Sequence, residues 1–214
     1  MSVNAVPLIV DHEFRRKEVA AVAARLIAES GLEAVTIRDV AQAAGCSTAI
    51  VSHYFHNKRE LLLFTYRNSI EVARALTDAS FGPGGDSLKT YISALMPFDD
   101  LRRTHWKIWF AFWAKAVADA EFAEIQKECV RRSRGEIERL LDRLHANGEI
   151  AAGTDRAFEA RRLLVLIMGL AVQVVFDEED WTLERQKAFV EVEFRTFLRP
   201  IASAAAEIAA HGVE

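Results

Sequence analysis

The chain has 214 residues, with 27 Lys and Arg against 31 Asp and Glu, a net charge of −4. Hydrophobic residues at 51% exclude a disordered chain, and 10 Gly with 4 Pro disfavour a collagen-like or turn-rich all-β chain. Two cysteines, Cys46 and Cys129, cannot build a disulfide framework, and no Cys/His cluster has metal-ligand spacing.

The opening segment, MSVNAVPLIVDHEFRRKE, lacks an apolar core behind a basic tip, so no secretion leader is expected. Residues 13–30 place Val19, Val22, Ala23, Leu26 and Ile27 on one helical face, with Gly31 as a C-terminal cap. Thr36 opens a short helix, and Asp39, three positions on, completes a capping box. Gly45 ends that helix, Ser47 caps a third running to about Phe55, and a longer fourth begins near Lys58 and runs to about Ser80. The stretch Phe81 to Asp86, FGPGGD, cannot continue a helix and reads as a linker. Beyond it helices are expected at about 87–96, 101–118, 121–147, 155–177 and 182–199, with a frayed Ala-rich tail after Pro200. The most apolar run, Leu163 to Phe176, has 14 residues, short of the roughly 20 that span a bilayer, so it reads as a buried helix. The expected class is all-α and cytoplasmic. An N-terminal three-helix helix-turn-helix domain is expected at 12–72 and a larger C-terminal helical domain at 84–200.

The informative segment is the helix-turn-helix at 36–55. Counting Ile37 as the first position, the fifth is Ala41, small enough for two helices to approach. The ninth is Gly45, able to take the positive φ of a tight turn. Val40, Ala44, Cys46, Val51 and Tyr54 fall where the two helices pack together. Ser47, Thr48, Ala49, Ser52 and His53 are then left to face a major groove. Ser and Thr can bond base edges or phosphates, and Ala49 or Ile50 can touch a thymine methyl. A helical hairpin that merely packs is the bland alternative, but spacing, cap, small residue and turn glycine agree over twenty residues. Residues 1–60 carry seven basic and seven acidic side chains, so charge must be segregated by face. Arg15-Arg16-Lys17 and Lys58-Arg59 are the expected positive edges.

TIRDVAQAAGCS, HYF at 53–55 and NKRELL at 57–62 resemble the TetR family of bacterial one-component repressors, specifically over about residues 14–75. STAIVSHYF, the Trp-rich segment at 105–126 and the following RRSRGEIERLL look most like the choline-responsive BetI-type subgroup. Ala49 departs from the family's frequent Gly. Ser52 replaces a frequent Tyr, a departure the BetI-like subgroup shares. The resemblance implies that Thr36 and Arg38 touch phosphates, that Thr48, Ala49, Ser52 and His53 face bases, and that Tyr54 and Lys58 anchor the operator backbone. Lys58 also opens a helix, where backbone N–H groups favour a phosphate. Tyr54 could equally serve core packing, since its ring is amphipathic.

A short reading helix covers few base pairs, so an operator of two half-sites and a homodimer are expected. The dimer element falls at about 155–199: Leu163, Leu166, Ile167, Leu170 and Val174 form a stripe, with Gly169 for close approach. Phe189, Val192, Phe197 and Leu198 offer a partner helix. Some of these must also serve an intrachain core. Trp106, Trp109, Phe110 and Trp113 recur at helical spacing, either as plain core or as an aromatic wall for an organic cation such as choline. Asp99, Asp100 or Asp177 could assist, and Trp181 could add a ring. No GxSxG, HExxH or phosphate-loop pattern occurs, so neither an enzyme nor a cofactor is expected. A ligand-released DNA-binding repressor is the function these features favour. A helical interaction module, or an activator without a small-molecule inducer, is the alternative.

Overall fold

The computed structural model describes residues 8–78, 81 and 88–197. Among these the chain forms nine helices and no strand: α1 (Leu8–Ser30), α2 (Ile37–Ala43), α3 (Thr48–Tyr54), α4 (Lys58–Asp78), α5 (Leu88–Leu95), α6 (Asp100–Ala118), α7 (Ala120–Ala146), α8 (Arg156–Phe176) and α9 (Leu183–Phe197). The Gly-rich linker apart from Phe81, the side chain of Phe197, Leu198 and the Ala-rich tail lie outside the described residues. No helix among those described is long and apolar enough to cross a membrane.

The helix boundaries follow local chemistry. Gly31, at φ 81°, ends α1, and its N–H donates to the Ile27 carbonyl at 2.9 Å. Thr36 and Asp39 form the expected capping box at the start of α2. The Ser47 hydroxyl accepts from the Ile50 N–H at 3.3 Å to cap α3. Asn57 caps α4 through its side-chain oxygen, which accepts from the Glu60 N–H at 2.9 Å. Asp155 does the same for α8 through the Phe158 N–H at 3.0 Å.

The chain divides into two compact units: residues up to Ala75 with Asp100–Lys127, and Leu76–Asp99 with Glu128 onward. The expected C-terminal domain starting at 84 includes α6, yet α6 clusters here with the helix-turn-helix. The reason is burial. Ile108 and Phe112 of α6 join Val19, Ala23 and Ile27 of α1, Val40 and Val51 of α2 and α3, and Leu61 and Tyr66 of α4 in one core. The Tyr66 and Phe112 rings stack at 4.4 Å, and Phe122 stacks on Phe112 at 5.9 Å.

In the second unit, α5, most of α7, α8 and α9 bury Ile92, Ile137, Leu141, Ile167, Val174 and Phe194. Here the structure corrects the expected dimer stripe. Leu163, Ile167, Leu170 and Val174 are buried within the chain itself, and Leu166 lines a small cavity with Ile92, Val190 and Phe194. The face of α8 left exposed carries Phe158, Val165 and Phe176 instead. α8 is apolar on more than one side, and periodicity alone does not say which side turns inward.

Candidate nucleic-acid interface

The two short helices meet at Gly45, whose φ of 65° is left-handed. The turn is closed by the Cys46 N–H donating to the Ala41 carbonyl at 2.9 Å. Ala41, Val40 and Val51 are buried between the helices, and Ala44 and Cys46 are half-buried beside them. A side chain added at Gly45 would meet nothing within 4 Å, so only its backbone demands glycine. Gly45→Ala is therefore expected to cost about 1 kcal/mol or slightly more through backbone strain alone. Thermal unfolding of the pure variant checks this; an unchanged Tm would contradict it.

With Val51 and Phe55 fixed in the core, the other side of α3 is open. Ser47, Thr48, Ala49, Ile50, Ser52 and His53 are all exposed, and Tyr54 is half-buried. Thr36 and Arg38 are exposed at the start of α2. The Thr36 hydroxyl is engaged with the Asp39 carboxylate at 2.6 Å, and this bonding holds the Asp39 carboxyl below its ordinary range. Lys58 is half-buried, and its ammonium donates to the Glu33 carbonyl at 3.0 Å. Lys58 thus ties the loop before α2 to the start of α4, a tie that spacing does not reveal.

The expected positive edges are paired. Arg15 bonds Glu18 at 2.7 Å, Arg16 reaches Glu60 at 3.2 Å, and Lys17 lies 3.7 Å from Glu13. Arg59 forks onto both oxygens of Asp119 and reaches Glu121 at 3.1 Å. Hydrogen bonding from Arg59 pulls the Asp119 carboxyl down to about 2. Because that value is lowered, the pair is complete above the usual carboxylate range and is lost only as pH falls through it toward about 2. Balanced charge in this unit is thus spent on local pairs. Most are solvent-exposed and individually weak.

Two neighbours of α3 have no signal in the sequence. The Arg16 guanidinium sits 5.0 Å over the Phe55 ring and 4.5 Å over Phe64. His12, from the first turns of α1, packs edge-on against Tyr54 at 4.9 Å and His53 at 5.8 Å. Both pairings join positions some forty residues apart, beyond any local spacing rule.

Residues 20–63 match the family model described as bacterial regulatory proteins of the tetR family. Residues 85–199 match the C-terminal model of BetI-type transcriptional repressors. This chain belongs to the TetR family, with a BetI-type C-terminal domain. BetI of Burkholderia thailandensis is 32% identical over 170 residues, spanning 77% of this chain and 84% of that protein. PksA of Bacillus subtilis, also an HTH-type transcriptional regulator, is 27% identical over 175 residues, or 80% of this chain and 84% of that one. A transcriptional regulator from Rhodococcus superposes with a TM-score of 0.74 at 26% identity, covering 86% of this chain and 96% of that one. A regulator from Saccharomonospora viridis, solved in complex with choline, shares the fold at a TM-score of 0.77 and 22% identity, with the same coverage.

In this TetR-family regulator the aromatic stripe of α6 is a self-packed cluster. Trp106 is buried, with Trp109 at 4.9 Å, Phe110 at 5.5 Å and Trp113 at 6.0 Å around it. The outer three rings are half-buried. Trp109 also packs on the core shared with α1, and its indole N–H is buried without an acceptor among the described residues. Of the acids considered, Asp100 pairs with Arg103, and Asp177 accepts from the Asp180 N–H at 3.1 Å. Trp181 packs edge-on against Phe189 of α9 at 5.7 Å. The second unit has a buried carboxylate that spacing did not flag. Glu136 of α7 accepts from the Tyr91 hydroxyl of α5 at 2.9 Å. Burial, with Glu136 beside it, pushes the Tyr91 hydroxyl upward, and burial raises the half-buried Cys129 thiol to about 11.

Proposed function

We propose that this regulator is a homodimeric repressor that reads two operator half-sites and leaves DNA when a small organic cation binds its C-terminal domain. The observation that carries the DNA reading is the run of small, exposed side chains on α3 (Ser47, Thr48, Ala49, Ser52 and His53) opposite a fully buried Val51. Such a helix enters a major groove without steric bulk, and its hydroxyls and imidazole can bond base edges. Thr36, Arg38, Tyr54 and Lys58 would hold the flanking phosphates. Their exposed ion-paired neighbours lose little when a phosphate replaces a carboxylate.

Dimerisation is supported by the outer face of α8. Phe158, Arg162, Val165, Gly169, Val172 and Phe176 follow at alternating steps of four and three, the spacing of a helix–helix seam. Phe158, Val165 and Phe176 along it are exposed, and grouped exposed apolar side chains of this size mark an interaction face. Two copies joined there would present two α3 helices to sites about one DNA turn, roughly 34 Å, apart. A ligand preferring a different spacing would draw the protein off DNA by population shift.

Three of the four Trp lie on α6, and the rings at 109, 110 and 113 keep part of their surface open, which suits a quaternary ammonium held by cation–π attraction. The choline bound to the structural relative from Saccharomonospora viridis points to the same ligand class. The test is a titration with choline, betaine aldehyde and tetramethylammonium, reading tryptophan fluorescence and operator release by gel shift. A saturable fluorescence change with release supports the reading. No change with any of the three removes the quaternary-ammonium ligand, and no salt-dependent DNA binding removes the repressor itself.

A further inference from the structure

We infer that the Thr65 hydroxyl of α4 and the Trp109 indole N–H of α6 bind an oxygen of the ligand, so that this regulator selects a quaternary ammonium bearing an alcohol or carbonyl over one bearing alkyl groups alone. This rests on the quaternary-ammonium reading above and names the chemistry that its site selects.

Four side-chain atoms among the described residues are buried without a hydrogen-bond partner: Arg16 Nε, Thr65 Oγ1, Trp109 Nε1 and Gln186 Oε1. Two of these side chains are satisfied through another atom. Arg16 reaches Glu60 at 3.2 Å, and the Gln186 amide donates to the Trp181 carbonyl at 2.8 Å. Thr65 and Trp109 each own a single polar side-chain atom, and in both it is left unbonded. A helical Ser or Thr commonly bonds back to a carbonyl of the preceding turn. Ser69, one turn after Thr65 on α4, does this, donating to the Tyr66 carbonyl at 2.8 Å. Thr65 does not, although it is fully buried.

The two orphans belong to one compact unit and border one contact within it. Thr65 immediately precedes Tyr66, whose ring stacks on Phe112 at 4.4 Å, and Trp109 stands one turn before Phe112 on α6. Trp109 is also edge-on to Trp106 at 4.9 Å, within the aromatic cluster proposed to hold the cation. A buried polar group left unbonded costs its full desolvation, and an apolar residue of the same shape would avoid that cost. A ligand oxygen repays it. An alcohol or carbonyl oxygen accepts from the indole N–H, and the Thr65 hydroxyl can donate to either or accept from an alcohol. A methyl group at the same place leaves both groups unbonded, and a site built this way rejects such an analogue.

The test is calorimetric titration of the full-length protein with choline and with propyltrimethylammonium, which has a methyl group in place of the choline hydroxyl. The wild type is expected to bind choline about tenfold tighter or more. Thr65→Val and Trp109→Phe should each bring that ratio most of the way toward one. Any weakening of the ring–cation attraction in Trp109→Phe affects both ligands alike and cancels in the ratio. Thr65→Ser, which keeps the hydroxyl, should retain the preference. Without ligand, Thr65→Val should leave Tm unchanged or raise it, because no bond is lost. A wild-type ratio near one overturns the inference, as does an undiminished ratio in either Thr65→Val or Trp109→Phe. So does a Thr65→Ser protein that loses the preference as fully as Thr65→Val, which would make the effect one of packing. A lower Tm for Thr65→Val would show the hydroxyl already bonded in the free protein and overturn it too. Failure of the wild type to bind either cation would instead overturn the quaternary-ammonium reading, and the inference with it.

Discussion

Val165→Asp is expected to convert a dimer into a monomer and to weaken binding to a two-half-site operator by about 100-fold or more. Val165 is 70% exposed, between Phe158 at 58% and Phe176 at 79% on the same face of α8. Gly169 lies at the middle of that face, with open space where a side chain would stand. A carboxylate at 165 would have to be desolvated, unpaired, against its own copy across a two-fold axis. The unit's own core, built on the opposite side of α8, would not change. Joining two reading heads makes the second contact intramolecular, an advantage of about 10²–10⁴ that a monomer forfeits. Analytical ultracentrifugation reads the oligomeric state, and gel shifts on full and half operators read the affinity. Val117→Asp is the matched control, since Val117 is 90% exposed on α6 and is not one of the seam residues. A dimer that survives Val165→Asp would place the interface elsewhere.

Phe55→Ala is expected to cost about 3–5 kcal/mol, the range for emptying a fully buried aromatic site. The Phe55 side chain is fully buried, with its ring 5.4 Å from Phe64 and beneath the Arg16 guanidinium. Truncation removes both contacts and leaves Arg16 facing a void, in a protein whose whole stability is of order 5–15 kcal/mol. Tm should fall by roughly 10 °C or more. Operator affinity should drop in parallel, although Phe55 touches no DNA in the proposed mode, because α3 loses the anchor behind its exposed face. Phe55→Leu, which keeps most of the apolar volume, should recover most of the loss. Equal Tm for Phe55→Ala and the wild type would show that α3 is positioned by other contacts.

The helix-turn-helix was legible because its signals are local. Thr36 and Asp39 are three residues apart, Gly45 takes the left-handed φ of the turn, and Val40 on α2 and Val51 on α3 are each buried within a helix whose other positions are small or polar. Both ends of α6, α7 and α8 and the starts of α4 and α9 also fell within one residue of expectation, since caps and breakers act over a single turn. The grouping of α6 with α1 was not legible, because it depends on Phe112 meeting Tyr66 across forty-six positions. The pairing of Arg59 with Asp119 and the contact of His12 with Tyr54 were hidden for the same reason.

The sequence by itself therefore determined an all-α chain, the reading helix and its exposed residues, because hydrophobic period, capping and turn chemistry act between near neighbours. Only the tertiary structure decided which apolar face of α8 is core and which is open, and where each charge finds its partner. Those outcomes depend on what lies opposite a side chain, and a helix apolar on several sides can satisfy its own periodicity with any of them inward.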